Sequence, residues 1–99
     1  MRTTKYRISE AAINDLDGIW EYTFLNWSKE QADRYHNLIM NEIEFIAENT
    51  YSGKPMDHIN KGYLVAYVKT HMIFFRRKEG IVEIIRILHQ KMDVESTLE

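Results

Sequence analysis

The side chains best suited to chemistry gather late in the chain, where Arg77, Arg86, His89 and Lys91 fall close together in sequence. Cleavage of RNA by its own 2′-hydroxyl needs a base, an acid near the leaving oxygen and cations on the phosphate, and these residues are of the right types. The residue types also have plainer readings. Arg86 stands in a run otherwise made of Val, Ile and Leu, where a cation must pair or reach water, so Asp93 or an acidic group on another protein is the candidate partner. His89 can close the end of a sheet through a backbone hydrogen bond, and His71, which opens another apolar run, reads as an exposed turn residue.

Other chemistries find no foothold. The histidines at 36, 58, 71 and 89 share no ligand spacing, and there is no His-Glu-x-x-His run, so no metal is expected. Cysteine is absent, which removes disulfides and thiolate sites. No Gly-x-Ser-x-Gly elbow and no phosphate-cradling loop occurs among the four glycines, so neither a nucleophilic hydrolase nor a nucleotide cofactor is implied.

The net charge of −2 is unevenly spread: residues 1–50 carry 5 basic and 9 acidic side chains, residues 51–99 carry 8 and 6. From Lys61 to Lys91 the only acids are Glu79 and Glu83, so that segment either solvates a sheet or receives an acidic partner. At 99 residues and 44% hydrophobic, the chain holds one domain with one core. The start Met1-Arg2-Thr3-Thr4-Lys5 lacks the apolar stretch of a signal peptide and no apolar run approaches membrane length, which makes the cytoplasm the expected compartment.

The elements that must position these residues follow from periodicity. Thr4, Tyr6 and Ile8 alternate with Lys5 and Arg7 as one short strand. Ser9 is placed to cap a first helix, with Ala12, Leu16, Ile19, Thr23 and Trp27 on one face and Trp20 and Phe24 widening it. Ser28-Lys29-Glu30-Gln31 fits a capping box that restarts the chain as a second helix, in which Ala32, Tyr35, Leu38, Ile39, Glu42, Ile43, Ile46 and Ala47 continue at helical spacing with Glu42 at the margin. The run Asn49-Thr50-Tyr51-Ser52-Gly53-Lys54-Pro55 breaks the helix, and residues 56–61 read as loop. Period-two runs then predict three strands, joined by a Lys69-Thr70 turn and a three-residue Lys78-Glu79-Gly80 turn. The order strand, helix, helix, strand, strand, strand is an α+β plan, with a helical hairpin packed on one face of a small antiparallel meander. Asp93 can cap a short final turn.

The last strand runs directly into polar residues, Arg86-Ile87-Leu88-His89-Gln90-Lys91-Met92-Asp93. With Thr70-His71-Met72-Ile73-Phe74-Phe75-Arg76 before it, this stretch is similar to the C-terminal half of ParE toxins, in the RelE/ParE superfamily of bacterial toxin-antitoxin modules. Leu16, Ile19 and Tyr22, then Trp27-Ser28, Gln31-Ala32, Tyr35 and Gly53 agree with the same family, so the resemblance spans nearly all of the chain.

The resemblance implies a cytoplasmic toxin of the plasmid-stabilisation type, one domain over residues 1–99, which is not an enzyme and uses no cofactor. It would act on DNA gyrase while that enzyme holds cleaved DNA. It would be neutralised by a ParD-like ribbon-helix-helix antitoxin whose disordered tail wraps it, in a hetero-oligomer that reaches operator DNA only through the antitoxin. The gyrase contact is expected on Arg86, His89, Gln90, Lys91, Met92 and Asp93. The antitoxin contact is expected on Trp20, Phe24 and Trp27 in a groove between hairpin and sheet, with Arg76, Arg77 and Arg86 supplying charge. Two alternatives are a ribosome-dependent messenger RNA nuclease of the RelE type and a non-toxic half of a repressor complex. The first lacks the cluster of Lys, Arg and Glu that such nucleases carry on the second and third strands, where Tyr63, Leu64, Val65, Ala66, Tyr67 and Val68 read as packing. Fold-level likeness alone does not choose between these functions.

Overall fold

The computed structural model describes residues 6–49 and 51–98, so Thr4 and Lys5 of the first alternating run lie outside the described residues. The elements are β1 (Tyr6–Ile8), α1 (Glu10–Asn26), α2 (Lys29–Glu48), β2 (Lys54–Pro55), β3 (Leu64–Val68), β4 (His71–Lys78), β5 (Ile81–His89) and α3 (Val94–Leu98).

Ser9 starts α1 and also fastens it to the sheet. Its extended backbone lets Oγ accept the Ala12 N–H at 3.0 Å, satisfying one free donor of the first turn. The same hydroxyl donates to the Ile85 carbonyl at 2.8 Å, and the Ser9 N–H donates to Ile84 at 3.0 Å. Ser28 likewise accepts the Gln31 N–H at 3.1 Å. Among the described residues, no return bond from the Gln31 side chain completes the expected capping box.

The sheet order is β1-β5-β4-β3-β2. The predicted meander is its centre, but the sheet is mixed: β1 joins parallel to β5, with Tyr6 opposite Val82. The short strand β2 lies within the predicted breaker run and pairs antiparallel with β3. Pro55 is tolerated there because an edge strand leaves one row of N–H positions unused. The second hairpin also differs from expectation. Lys78 stays in β4 opposite Ile81, and the turn is the two residues Glu79 (φ 54°) and Gly80 (φ 77°), the double positive φ that matches strand twist in a tight hairpin.

Alternation sends the sheet's side chains to two faces. Ile73, Phe75, Val82, Ile84 and Ile87 pack under Ala12 and Leu16 of α1 and Ile39, Ile43 and Ile46 of α2. On the other face Val65, Met72, Phe74 and Leu88 are covered by Met56, Ile59 and Tyr63 and by Val94 and Leu98 of the C-terminal turn. That turn is capped as expected, since Asp93 accepts from the Ser96 hydroxyl at 2.9 Å.

Candidate functional site

A groove of about 720 Å³ runs between α1, the start of α2, the β3–β4 turn and the end of β5. Its apolar wall includes Ile19, Tyr22, Trp27, Ile87 and Met92, and its polar groups include Asp15, Tyr35, His71 and His89. Tyr22 and Trp27 are 61% and 66% exposed and meet edge to face at 6.1 Å. Large aromatic surface left in water beside a concavity marks a binding face rather than a core.

Of the expected aromatic trio, only Trp27 lines this groove. Trp20 and Phe24 stack on each other at 5.2 Å, and the Trp20 indole N–H donates to Asp33 at 2.9 Å. The helical turn of about 100° per residue explains the split, because residues 15, 18, 19, 22 and 23 share the groove face while 20 and 24 are rotated away from it.

The three arginines expected to supply charge are each engaged within the fold. Arg86 does not pair with Asp93. Its Nε and Nη2 donate to the two carboxylate oxygens of Asp15 at 2.8 and 2.9 Å, and Asp15 also accepts the Ile87 N–H at 2.9 Å. Arg76 donates to Glu83 at 2.6 Å, and Arg7 holds the other Glu83 oxygen; these hydrogen bonds, that from Arg76 first, hold the Glu83 carboxyl below the usual carboxylate range. Arg77 closes the end of α2, donating to the carbonyls of Ile46 and Ser52 at 2.9 and 3.1 Å and to that of Asn49. Helix α2 has no basic residue in its own last turn, so a cation from β4 meets its negative end.

The run from Arg86 to Asp93 is similarly divided. His89 and Met92 line the groove, Gln90 and Lys91 are exposed beside it, Arg86 is tied to Asp15 and Asp93 caps α3. The His89 Nδ1 accepts the Lys91 N–H at 3.1 Å, the backbone bond expected from its position.

His71 departs most from its reading as an exposed turn residue. Its Nδ1 lies 2.7 Å from the Tyr35 hydroxyl, which donates to the Val68 carbonyl at 3.1 Å. Its ring meets that of His89 edge to face at 5.1 Å. Counting back from the Glu79-Gly80 turn would place His71 opposite Leu88. A β-bulge shifts the ladder between Phe74 and Phe75 and brings His71 opposite His89 instead. No local sequence signal announces such a bulge, and Asp15, Gly18 and Tyr35 reach the groove only through tertiary packing.

Burial, then the neighbouring His89, pushes the His71 imidazole down to about 4. A histidine whose folded value is depressed takes up protons first in the unfolded chain, so stability is present above about pH 6.5 and is lost as pH falls toward 4. Urea unfolding at pH 7.5 and pH 5 should show a loss of about 1 kcal/mol at the lower pH that a His71→Gln variant does not share, roughly half the unscreened linkage value because the ring is partly solvated. Parallel losses in both proteins would assign the pH dependence elsewhere.

The groove therefore offers an apolar wall, two imidazoles and a phenol, with Arg86 beside it already neutralised by Asp15. Among the described residues no group of three metal-ligating side chains gathers anywhere.

Comparison with known proteins gives a consistent result. A family model described as "ParE toxin of type II toxin-antitoxin system, parDE" matches residues 6–94. The chain is 40% identical over 94 residues to Toxin ParE1 of Caulobacter vibrioides, covering 94% of this chain and 96% of that protein. It is 34% identical over 97 residues to Toxin ParE1 of Mycobacterium tuberculosis, covering 97% and 99%. A structure solved as "Chromosomal ParDE TA system from P. aeruginosa" superposes with a TM-score of 0.74 at 20% identity, covering 87% of this chain and 95% of that one.

Proposed function

We propose, from the premise that this chain belongs to the ParE toxin family of type II toxin-antitoxin systems, that it is a gyrase-directed toxin held inactive by a ParD-like antitoxin lying in the groove between α1 and β5. The observation that carries this reading is the groove itself: Tyr22, Trp27 and Met92 present apolar surface to water beside it, and an antitoxin tail that folds on binding would cover that surface. A neighbour solved as a ParDE system supports an antitoxin partner of this kind.

The gyrase contact is assigned to the exposed end of β5 and the turn after it, with Gln90, Lys91 and Met92 among the exposed side chains. His89 and Met92 belong both to this surface and to the groove. An antitoxin in the groove would thus cover part of what gyrase meets, and neutralisation follows by direct competition. Arg77 and Arg86 are engaged by a helix end and a carboxylate, so using either on a scissile phosphate would first cost those bonds. That favours a toxin without catalysis of its own, working in the cytoplasm where gyrase and its DNA are found.

The purified chain, without antitoxin, should inhibit gyrase supercoiling and accumulate gyrase-cleaved DNA while leaving ribosome-bound messenger RNA intact. Cut messenger RNA with gyrase unaffected would overturn the proposal and make His89 and Arg86 catalytic candidates. Normal growth on induction, with tight antitoxin binding, would point to a repressor component instead.

A further inference from the structure

We infer that the groove, when no antitoxin fills it, takes an unpaired base of single-stranded DNA, stacked on Tyr22 and Trp27 with its phosphate toward Lys69. This rests on the gyrase-directed reading only for the source of the strand, the DNA that gyrase holds open. The site itself follows from the chemistry of the groove.

Five rings line the groove: Tyr22, Trp27, Tyr35, His71 and His89. Tyr35 and the two histidines are engaged with one another, in edge-to-face contacts at 5.4 and 5.1 Å. Tyr22 and Trp27 are the rings turned to water. Their own edge-to-face contact leaves flat ring surface on which a base can stack. Gly18 lines the α1 side, where a glycine inside a helix costs about 1 kcal/mol relative to alanine. A Cβ there would meet nothing within 4 Å, so the packing of this chain does not call for glycine. A bare stretch of helix does let a flat ring lie close against it. The volume of about 720 Å³ falls in the range of about 300–1,000 Å³ that encloses small ligands. That is room for a nucleotide but not for a duplex, whose bases are reached only once they leave the stack.

The polar groups of the groove are neutral, and their protons are placed. Asp15 is matched by Arg86. The Tyr35 hydroxyl donates to the Val68 carbonyl, so toward His71 it accepts, and the His71 proton sits on Nδ1. His89 accepts the Lys91 N–H at its own Nδ1, so its proton sits on Nε2. Burial keeps His71 neutral at physiological pH. Among the described residues neither Nε2 has a hydrogen-bond partner, and neither is sealed from water. The pair therefore offers one acceptor, His71 Nε2, and one donor, His89 Nε2. Base edges carry groups of both kinds, and an aliphatic side chain carries neither.

Charge also favours a nucleotide. Lys69 lines the groove and Lys91 is exposed beside it, and neither holds an ion pair among the described residues. Free cations next to stacking rings and neutral hydrogen-bonding groups are the combination by which single strands are held.

The test adds a fluorescein-labelled DNA single strand of about twelve nucleotides to the full chain without antitoxin and reads binding by anisotropy. Saturable binding is expected, about tenfold or more tighter than to the same sequence as a duplex. Trp27→Ala should weaken it about tenfold through the loss of one stacked base, and Gly18→Leu should do the same by filling the groove. Lys69→Asn, which suits the positive φ of 54° at that turn residue, should lower the slope of log Kd against log salt by about 0.7, one phosphate contact on a single strand. Phe24→Ala, exposed but outside the groove, should bind as wild type does. Thermal unfolding of each variant separates lost folding from lost binding, and Gly18→Leu favours the helix, so it tests the site without that risk. Binding by Trp27→Ala and Gly18→Leu within about threefold of wild type would refute the stacking site, as would no saturable binding below about 1 mM. Equal affinity for the duplex would reduce the effect to charge attraction, and tenfold tighter binding of the same sequence as RNA would reassign the groove to RNA. Gyrase cleavage measured on the same preparation gives a separate answer. Trapped cleaved DNA from a chain that ignores the oligonucleotide sinks this inference and leaves the gyrase reading standing, whereas oligonucleotide binding with gyrase unaffected keeps the site and removes that reading.

Discussion

Asp15→Ala should lower the unfolding free energy by about 2–4 kcal/mol, because one carboxylate satisfies three donors and its loss strands them together. Arg86 gives it two hydrogen bonds and the Ile87 backbone a third, with the two side chains only 14% and 26% exposed. Asp15 faces the groove from α1 while Arg86 and Ile87 belong to β5, so the pair fixes the distance between the groove's two long walls. Asp15→Asn keeps an acceptor and should lose about half as much. The double change Asp15→Leu with Arg86→Met should recover part of the loss, since a buried ion pair replaced by apolar groups is often near neutral whereas a half-removed one is costly. Urea unfolding of the four proteins measures this directly. A loss below about 0.5 kcal/mol for Asp15→Ala would put the pair in the class of solvent-screened surface bridges.

The same ion pair shows which parts of this molecule are written locally. Ser9, Ser28 and Asp93 are legible as caps because a cap is a contact over three residues, and all three form. The helical faces and the β3-β4-β5 meander are legible for the same reason, since each depends on a period of two or about four residues. Arg86 announces by its type that it needs a partner, yet the choice between Asp93 nearby and Asp15, 71 residues away, belongs to the packing of α1 on β5. The basic tilt between Lys61 and Lys91 resolves into Arg76 on Glu83, Arg77 on the end of α2 and Arg86 on Asp15. The exposed remainder is lysine, with Lys69 lining the groove and Lys91 exposed beside it. Hydrophobicity makes Trp20 and Phe24 groove candidates but does not say which flank of a broad stripe turns outward. The meeting of His71 with His89 depends on one extra residue in β5, and periodicity carries no trace of it.

In the middle of β4, Phe75→Ala should cost about 3–5 kcal/mol, the usual loss for removing a fully buried aromatic ring. The ring also sets conditions on its neighbours. The Arg77 guanidinium lies over it at 5.2 Å while clamping the end of α2, so losing the ring removes a platform from the residue that joins helix to sheet. Gly53 approaches the tip of the ring, where a Cβ would stand 2.5 Å from the Phe75 Cζ and 3.3 Å from the Leu64 Cβ at a φ of +101°. Gly53→Ala alone should therefore be destabilising by about 2–4 kcal/mol, part of it backbone strain and part overlap with the ring. In the Phe75→Ala background the overlap with Cζ is gone while the strain and the Leu64 contact remain, so the cost of Gly53→Ala should fall by about 1 kcal/mol or more. Urea unfolding of the two single variants and the double variant yields that coupling. A cost of Gly53→Ala that is the same with and without the ring would mean that backbone conformation alone demands glycine at residue 53, and that the ring settles against whatever the breaker run presents.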